Sequence, residues 1–226
     1  MTTIYLRGHI MVKKEFADLI LSGLKTTTIR LGRVVPKSKE VIIHSGGRPV
    51  AKAVIEGVEY KRVGELSDED AKRDGYQSVD ELIKSLERIY KTKISSNDIV
   101  TIIRFRVVKK FNEIDTDDVY LGLEPIDIAR LAHRYIFDEL SEKDRRIVEE
   151  MLRSRSIRTV AIKMFGSLNK RWIVRKTLRK CLAKLVWKGV IKVDEDSLRK
   201  LAEVSGFWKR VYLDYVKSRR GEEGST

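Results

Sequence analysis

The densest group of reactive side chains lies between Gly23 and Arg33, where Lys25, Thr28 and Arg30 follow one another closely. An ammonium is a compact charge with three donors, and a guanidinium is a planar fork that can hold two phosphate or carboxylate oxygens at once. The threonine hydroxyl both donates and accepts hydrogen bonds. Together these groups predict a polar pocket that attracts anions.

The elements on either side of this stretch decide whether the side chains can meet. Residues 13–22 have apolar positions at helical spacing, and Gly23 can end that helix because a residue without a Cβ tolerates the left-handed conformation. The β-branched run that follows predicts a strand. In a regular strand Thr28 and Arg30 share one face, whereas Lys25 points the other way. Lys25 therefore reaches the pocket only if it lies in the turn after Gly23.

The rest of the first half alternates short β-rich segments with turns and a few helices. Gly46-Gly47 indicates a hairpin turn, Gly57 a bulge, and Ser67 and Ser78 are N-cap residues of helices. This pattern predicts the α+β class, with a small mixed β-barrel over residues 1–111. Besides the strand after Gly23, the predicted strands span 4–12, 41–44, 50–63 and 99–108, and the predicted helices span 13–22, 68–73 and 79–90.

Residues 1–111 resemble the ASCH domain, a small β-barrel related in fold to the PUA domain. The signature of that family is Gly-x-Lys-x-x-(Glu or Thr)-x-Arg at the start of a strand, which Gly23, Lys25, Thr28 and Arg30 match. The resemblance implies nucleic-acid binding in a cleft lined by the motif, with RNA slightly favoured over DNA. With Arg33 just beyond the motif, the candidate binding residues of the cleft are Lys25, Thr28, Arg30 and Arg33.

The same resemblance implies an enzymatic alternative. One bacterial branch of the family hydrolyses acetylated cytidine with a Lys and a Thr at the positions of Lys25 and Thr28, and with a Glu on a later helix that Glu81 matches. Other members are reported as ribonucleases. A desolvated lysine has a lowered pKa and can act as a base toward a neighbouring threonine. The catalytic candidates are therefore Lys25, Thr28 and Glu81, although Glu81 also fits a solvated or ion-paired residue on a polar helix face.

The second half of the chain is strongly basic. The formal net charge is +14; residues 1–120 hold 22 Lys and Arg against 18 Asp and Glu, whereas residues 121–226 hold 25 against 15. From 153 to 192 there are 13 basic residues and no acidic one. A solvated face usually mixes both signs, so this run predicts a polyanionic partner, with nucleic acid as the default. The alternative is a basic surface that serves only solubility.

Helical periodicity replaces the strand pattern in the second half. Residues 112–123 are interpreted as a linker, and residues 124–226 as an all-α, winged-helix-like domain in which 190–193 is a short strand or wing. The predicted helices span 126–140, 142–153, 157–165, 171–188, 197–204 and 207–217.

Residues 171–188 have the pattern of a recognition helix. Apolar residues such as Leu178 and Leu182 fall in one arc of the helix, and most of its cations lie opposite. Such a helix turns a basic side to phosphates or a groove, whereas in a plain bundle that side is only solvated. Trp172 and Trp187 are expected to be buried, with stacking on bases as the alternative. The candidate nucleic-acid-binding residues here are Arg171, Arg175, Lys176, Arg179, Lys180 and Lys184.

Several other classes are disfavoured by composition. The single cysteine, Cys181, excludes an intrachain disulfide framework and fits a reducing cytoplasm. The three histidines share no metal-ligand spacing and no nucleotide-binding loop motif occurs, so we expect neither metal nor cofactor. No apolar run could span a bilayer and no secretory signal is evident, so we expect a cytoplasmic protein without a membrane partner. Three Asn and one Gln among many Lys, Arg and Glu indicate a heat-adapted source.

Overall fold

The first of two units into which the chain divides is Met1–Phe111, and the second is Asn112–Thr226. The structure is a computed structural model that describes residues 3–111 and 118–223. Within 3–111, strands and helices alternate as the sequence predicts. The strands are β1 (Ile4–Leu6), β2 (His9–Val12), β3 (Thr27–Leu31), β4 (Val34–Pro36), β5 (Glu40–Ser45), β6 (Arg48–Arg62) and β7 (Ile99–Lys110), and the helices are α1 (Ala17–Leu21), α2 (Asp68–Arg73) and α3 (Val79–Tyr90).

Five of these strands form one curled mixed sheet in the order β2-β5-β6-β7-β3. β2 runs parallel to β5, and the other neighbours are antiparallel. β1 and β4 form a separate parallel pair. Because β2 and β3 are the two edges of the five-stranded sheet, the predicted mixed barrel is observed as a half-barrel with an opening between those edges.

Local turn chemistry explains most of the element boundaries. Gly46 and Gly47 both have positive φ, as a two-residue turn between β5 and β6 requires, and the predicted bulge lies next to Gly57. Ser67 and Ser78 cap α2 and α3 as predicted. The first predicted strand is wrong in its extent, because Gly8 (φ +78°) separates β1 from β2.

In the second unit, the described residues 118–223 are mostly helical. Ser141 and Ser156, which precede the second and third of its helices, accept hydrogen bonds from the backbone N–H groups of Asp144 and Thr159. Among these residues no helix is long and apolar enough to cross a membrane. The helices are α4 (Pro125–Tyr135), α5 (Glu142–Ser154), α6 (Ile157–Phe165), α7 (Arg171–Trp187), α8 (Glu195–Val204) and α9 (Gly206–Glu223).

Two predictions for this unit are corrected. The predicted wing at 190–193 is not a strand, because the N–H groups of Val190 and Ile191 both donate to the carbonyl of Leu185, at 2.9 and 3.2 Å, and fold the chain back on the end of α7. The predicted helix over 126–140 ends at Tyr135 and is followed by a 3-10 turn, Phe137–Glu139.

The predicted linker is described only in part. Its residues 112–117 lie outside the described residues. Residues 118–123 are folded rather than extended: Leu121 and Leu123 are buried, and the carbonyl of Val119 accepts a hydrogen bond from the indole of Trp208 at 3.0 Å. This part of the segment therefore packs with the helices of the second unit.

Candidate functional site

A cavity of about 260 Å³ lies at the opening between β2 and β3. Met11 and Val12 contribute the β2 side, and the guanidinium of Arg30 on β3 donates to the carbonyl of Met11 and so bridges the two edges. The cavity is thus formed by the two strands that the half-barrel leaves unpaired with each other. Residues after α2 and on α3 complete the wall, namely Asp74, Tyr76, Leu86, Ile89 and Tyr90.

Lys25 lies in this cavity because it precedes β3. Gly23 has a φ of +78°, and the N–H of Lys25 donates to the carbonyl of Leu19 at 2.9 Å, so the chain turns tightly after α1. Lys25 is therefore outside the alternation of the strand and lines the cavity together with Thr28 and Arg30. This is the arrangement that the motif requires if its three side chains are to share one cleft.

Asp74, which the sequence pattern does not single out, is the partner of Lys25. The Lys25 ammonium donates to the carboxylate and to the main-chain carbonyl of Asp74, and the two side chains are only 2% and 5% exposed. The other carboxylate oxygen accepts the N–H of Ile29 at 3.3 Å. Burial lowers the pKa of Lys25 and raises the pKa of Asp74, and their mutual attraction opposes both shifts. The pair joins the turn before β3 to the end of α2.

Two sequence-predicted residues lie outside the cavity. Glu81 is in the exposed first turn of α3 and accepts the N–H of Gln77 at 2.8 Å, a position that the helix dipole favours for a carboxylate. The carboxylate beside Lys25 is therefore that of Asp74 and not that of Glu81. Arg33 is exposed, with its guanidinium 4.9 Å from the ring centre of Tyr60.

The predicted basic helix is α7, and its cations form two rows along the helix. Residues four apart lie on one side of a helix, so the spacing defines an arginine row and a lysine row. The opposite side is buried, and burial raises the pKa of Cys181 to about 12, as expected for a thiol packed in a core. The arginine row is Arg171, Arg175 and Arg179, and the lysine row is Lys176, Lys180, Lys184 and Lys188.

Acidic residues from outside the acid-free run pair with most of the lysine row. The Lys180 ammonium is 2.6 Å from the carboxylate of Asp144 on α5, and Lys184 and Lys188 both pair with Glu139. Burial alone raises the pKa of Asp144, but the hydrogen bond from Lys180 and two hydroxyl donors bring that pKa below its usual value. Three of the four lysines in this row therefore contribute less net positive charge to the helix surface than the sequence alone indicates.

A groove of about 830 Å³ lies between α7 and α9. Lys176 and Arg179 line it, and neither has an ion-pair partner among the described residues. The guanidinium of Arg179 lies 5.7 Å from the ring centre of Phe207, and its Nε atom is buried without a hydrogen-bond partner in the described part of the chain. The groove therefore brings two cations without ion-pair partners in the described part of the chain next to aromatic surface.

Trp187 also lines this groove, and it is not buried. Trp172 and Trp187 are 56% and 50% exposed, so the prediction that both are buried is wrong. At about 100° per residue, Trp187 is nine positions and half a turn away from Leu178, which is in the centre of the buried stripe. The position of Trp187 on the helix, and not the hydrophobicity of its indole, therefore determines that this side chain is exposed.

Comparison with known proteins bears on the first unit. Residues 4–109 match the family model described as the ASCH domain. No curated protein is similar in sequence to this chain. Similar solved structures are an ASCH domain from Lactobacillus crispatus JV V101 (16% identity, 47% of this chain and 80% of that chain, TM-score 0.39), an ASCH protein from Zymomonas mobilis (18%, 46% and 70%, 0.35) and a protein from Enterococcus faecalis V583 (20%, 43% and 69%, 0.36). The family model confirms, over residues 4–109, the resemblance to the ASCH domain that was seen in the sequence.

Proposed function

We propose that the protein binds nucleic acid, with RNA favoured over DNA, through the ASCH cleft and the basic face of α7. The groove between α7 and α9 carries this proposal, because the exposed indole of Trp187 and the ring of Phe207 lie there with Lys176 and Arg179. Aromatic faces stack on unpaired bases while neighbouring cations hold the backbone. The combination of an exposed indole, a second aromatic ring and two cations in one groove distinguishes this face from one that serves only solubility.

In this proposal the ASCH cleft determines which nucleic acid is recognised more than it contributes to the electrostatic affinity. Asp74 balances the charge of Lys25, so the remaining cations of the cavity lining are Arg30 and Lys13, and Thr28 is one of its neutral hydrogen-bonding groups. The cavity, at about 260 Å³, is below the range of roughly 300–1,000 Å³ typical of sites for drug-sized ligands. An unpaired base matches that size better than a duplex does, which favours a single strand.

The second unit contributes a helix–turn–helix in which α7 is the recognition helix. α6 and α7 are joined through Gly166, which has a φ of +67°, and the 3-10 turn Leu168–Lys170. Its contacts with phosphates make binding dependent on salt, because each contact releases counterions.

Neutralising two cations of the groove tests the role of α7. We expect Lys176→Gln with Arg179→Gln to weaken binding of single-stranded RNA and to reduce the slope of log K against log salt by about 1.4, since each phosphate contact on a single strand contributes about 0.7. The measurement is affinity for single-stranded RNA, duplex RNA and duplex DNA at a series of salt concentrations.

The matched control for this experiment is Arg146→Gln with Lys200→Gln. Both residues are exposed in the second unit, neither lines the groove, and the pair removes the same charge. An equal loss of slope in both double variants would show that only net charge matters and would remove α7 from the proposal.

A second candidate function is hydrolysis of an acylated nucleoside or of RNA in the ASCH cleft. Lys25 is buried, and desolvation lowers its pKa. It lines the same cavity as Thr28, which is 4% exposed, and these two facts support the candidate. A base and a nucleophile need this environment. Here Asp74 would orient Lys25 in place of Glu81.

Thr28→Val tests this candidate, because it removes the hydroxyl and keeps the shape. We expect turnover of an acetylated cytidine or an RNA to be lost in Thr28→Val, retained in part in Thr28→Ser and unchanged in Glu81→Gln. Absence of turnover by the folded wild type across acylated cytidines and RNA would eliminate the candidate.

A further inference from the structure

A separate pocket of about 380 Å³ in the second unit concentrates arginines. Its lining includes four guanidinium-bearing residues and one carboxylate-bearing residue, and all four arginines lie in the acid-free run. The groove between α7 and α9 shares none of them. The residues are Arg155, Arg158, Arg171, Arg175 and Glu124.

Helix ends bring these residues together. Arg155 is the left-handed residue (φ 55°) that follows α5, and Arg158 is in the first turn of α6. Arg171 begins α7, and Arg175 follows one turn later on the same side. Glu124 is the residue immediately before α4. The N-terminal ends of α4, α6 and α7 therefore contribute to one pocket.

The charges in the pocket oppose the usual preference of helix ends. A helix N-terminus carries partial positive charge and favours acidic side chains. The first turns of α6 and α7 contain no acidic residue, and they present Arg158 and Arg171 instead. In the empty protein these guanidinium groups repel both the helix ends and one another. A bound anion is attracted both to the guanidinium groups and to the helix ends and so offsets this repulsion, whereas a purely structural role leaves the unfavourable placement unexplained.

Local hydrogen bonds also leave guanidinium donors for a ligand. The Nε–H group of Arg171 donates to the carbonyl of Leu168 at 3.1 Å. This bond holds the side chain in place and does not involve the two terminal nitrogens of the guanidinium. Among the described residues, neither Arg158 nor Arg175 has an ion-pair partner. Two of the four arginines therefore lack a carboxylate partner in the described part of the chain.

We infer that this pocket binds a phosphate group at the end of a nucleic-acid strand, with Arg158 and Arg175 as its principal contacts. A terminal monophosphate carries a charge of about −1.5 to −2, against about −1 for a backbone phosphodiester, and so matches a cluster of arginines better. The inference rests on the proposed function, because that function supplies the strand.

Inorganic phosphate is the first probe. In the full chain, at constant ionic strength set with chloride, we expect phosphate to raise Tm saturably. Arg158→Gln with Arg175→Gln should weaken phosphate binding by about tenfold or more, since each hydrogen bond to a charged group is strong. The double variant should also have the same or a higher Tm than wild type without phosphate, because it removes the repulsion. The control Arg146→Gln with Lys200→Gln should respond to phosphate as wild type does. A phosphate-induced shift that is equal in wild type and in the pocket variant would overturn the inference.

A single-stranded RNA made with a 5′-phosphate, a 3′-phosphate or hydroxyl ends is the second probe. We expect one phosphorylated end to bind about tenfold more tightly in wild type and the preference to vanish in the pocket variant. Equal affinity for the three RNAs, with no saturable response to inorganic phosphate, would contradict the phosphate pocket without affecting the proposed function. A response to inorganic phosphate without any RNA binding would contradict the proposed function without affecting the phosphate pocket.

Discussion

Replacing Lys25 with methionine is expected to lower the free energy of unfolding by about 3–5 kcal/mol, because the carboxylate of Asp74 is left buried without its cation. Replacing both partners, as in Lys25→Met with Asp74→Leu, should recover most of that loss, since no buried charge then remains. Chemical denaturation of the wild type, both single variants and the double variant measures these differences.

The loss in Lys25→Met should be smaller at acidic pH. Burial raises the pKa of Asp74, and removing Lys25 removes the main interaction that opposes this shift. A carboxyl group whose pKa is raised on folding stabilises the fold below its unfolded pKa, and that contribution disappears as the pH rises through the folded pKa. The single variant should therefore approach wild-type stability as the pH falls.

Lys61→Met is the matched control within the same domain. Lys61 also pairs with an aspartate, Asp70, at 3.0 Å, but its side chain is 26% exposed. Water screens this pair, so its loss should cost at most about 1 kcal/mol. Equal losses in Lys25→Met and Lys61→Met would contradict the assignment of a buried, interdependent pair.

Truncating Trp187 to alanine is expected to weaken binding of single-stranded RNA by about 1–3 kcal/mol, the contribution of one stacked base. The salt dependence should stay unchanged, because no phosphate contact is removed. Duplex binding should change little, since paired bases are not available to the indole. Titration of a single strand and of its duplex at two salt concentrations separates these effects.

Trp172→Ala provides the control on the same helix. Trp172 is 56% exposed and does not line the groove between α7 and α9, so its loss should leave affinity close to that of wild type. Equal weakening by both substitutions would mean that stacking is not confined to the groove. No weakening by either would remove base stacking from the proposal.

Local features of the fold were predictable from sequence because their causes are local. Ser67 and Ser78 each cap the helix that follows, and Gly46 and Gly47 supply the two positive φ values that the turn between β5 and β6 requires. The family motif likewise identified the stretch that lines the cleft.

The partners of charged residues were not predictable, because they come from distant parts of the chain. Nothing next to Asp74 in the sequence indicates that it meets Lys25, and nothing in the acid-free run indicates that Asp144 and Glu139 pair with the lysine row. The predicted wing was wrong for a related reason. A short stretch with three β-branched residues forms a strand only beside a partner strand, and Val190 has the end of α7 as its neighbour instead.

The order of synthesis sets when the ASCH cleft can exist. Lys25 meets Asp74 49 positions later, and Thr28 on β3 pairs with Ile103 on β7. Every strand contact of β3 thus waits for the last strand of the domain, and pairings this distant form slowly. A nascent chain whose β7 has not yet emerged from the ribosome contains the complete motif but has no cleft. The domain must therefore be fully synthesised before it can recognise a ligand.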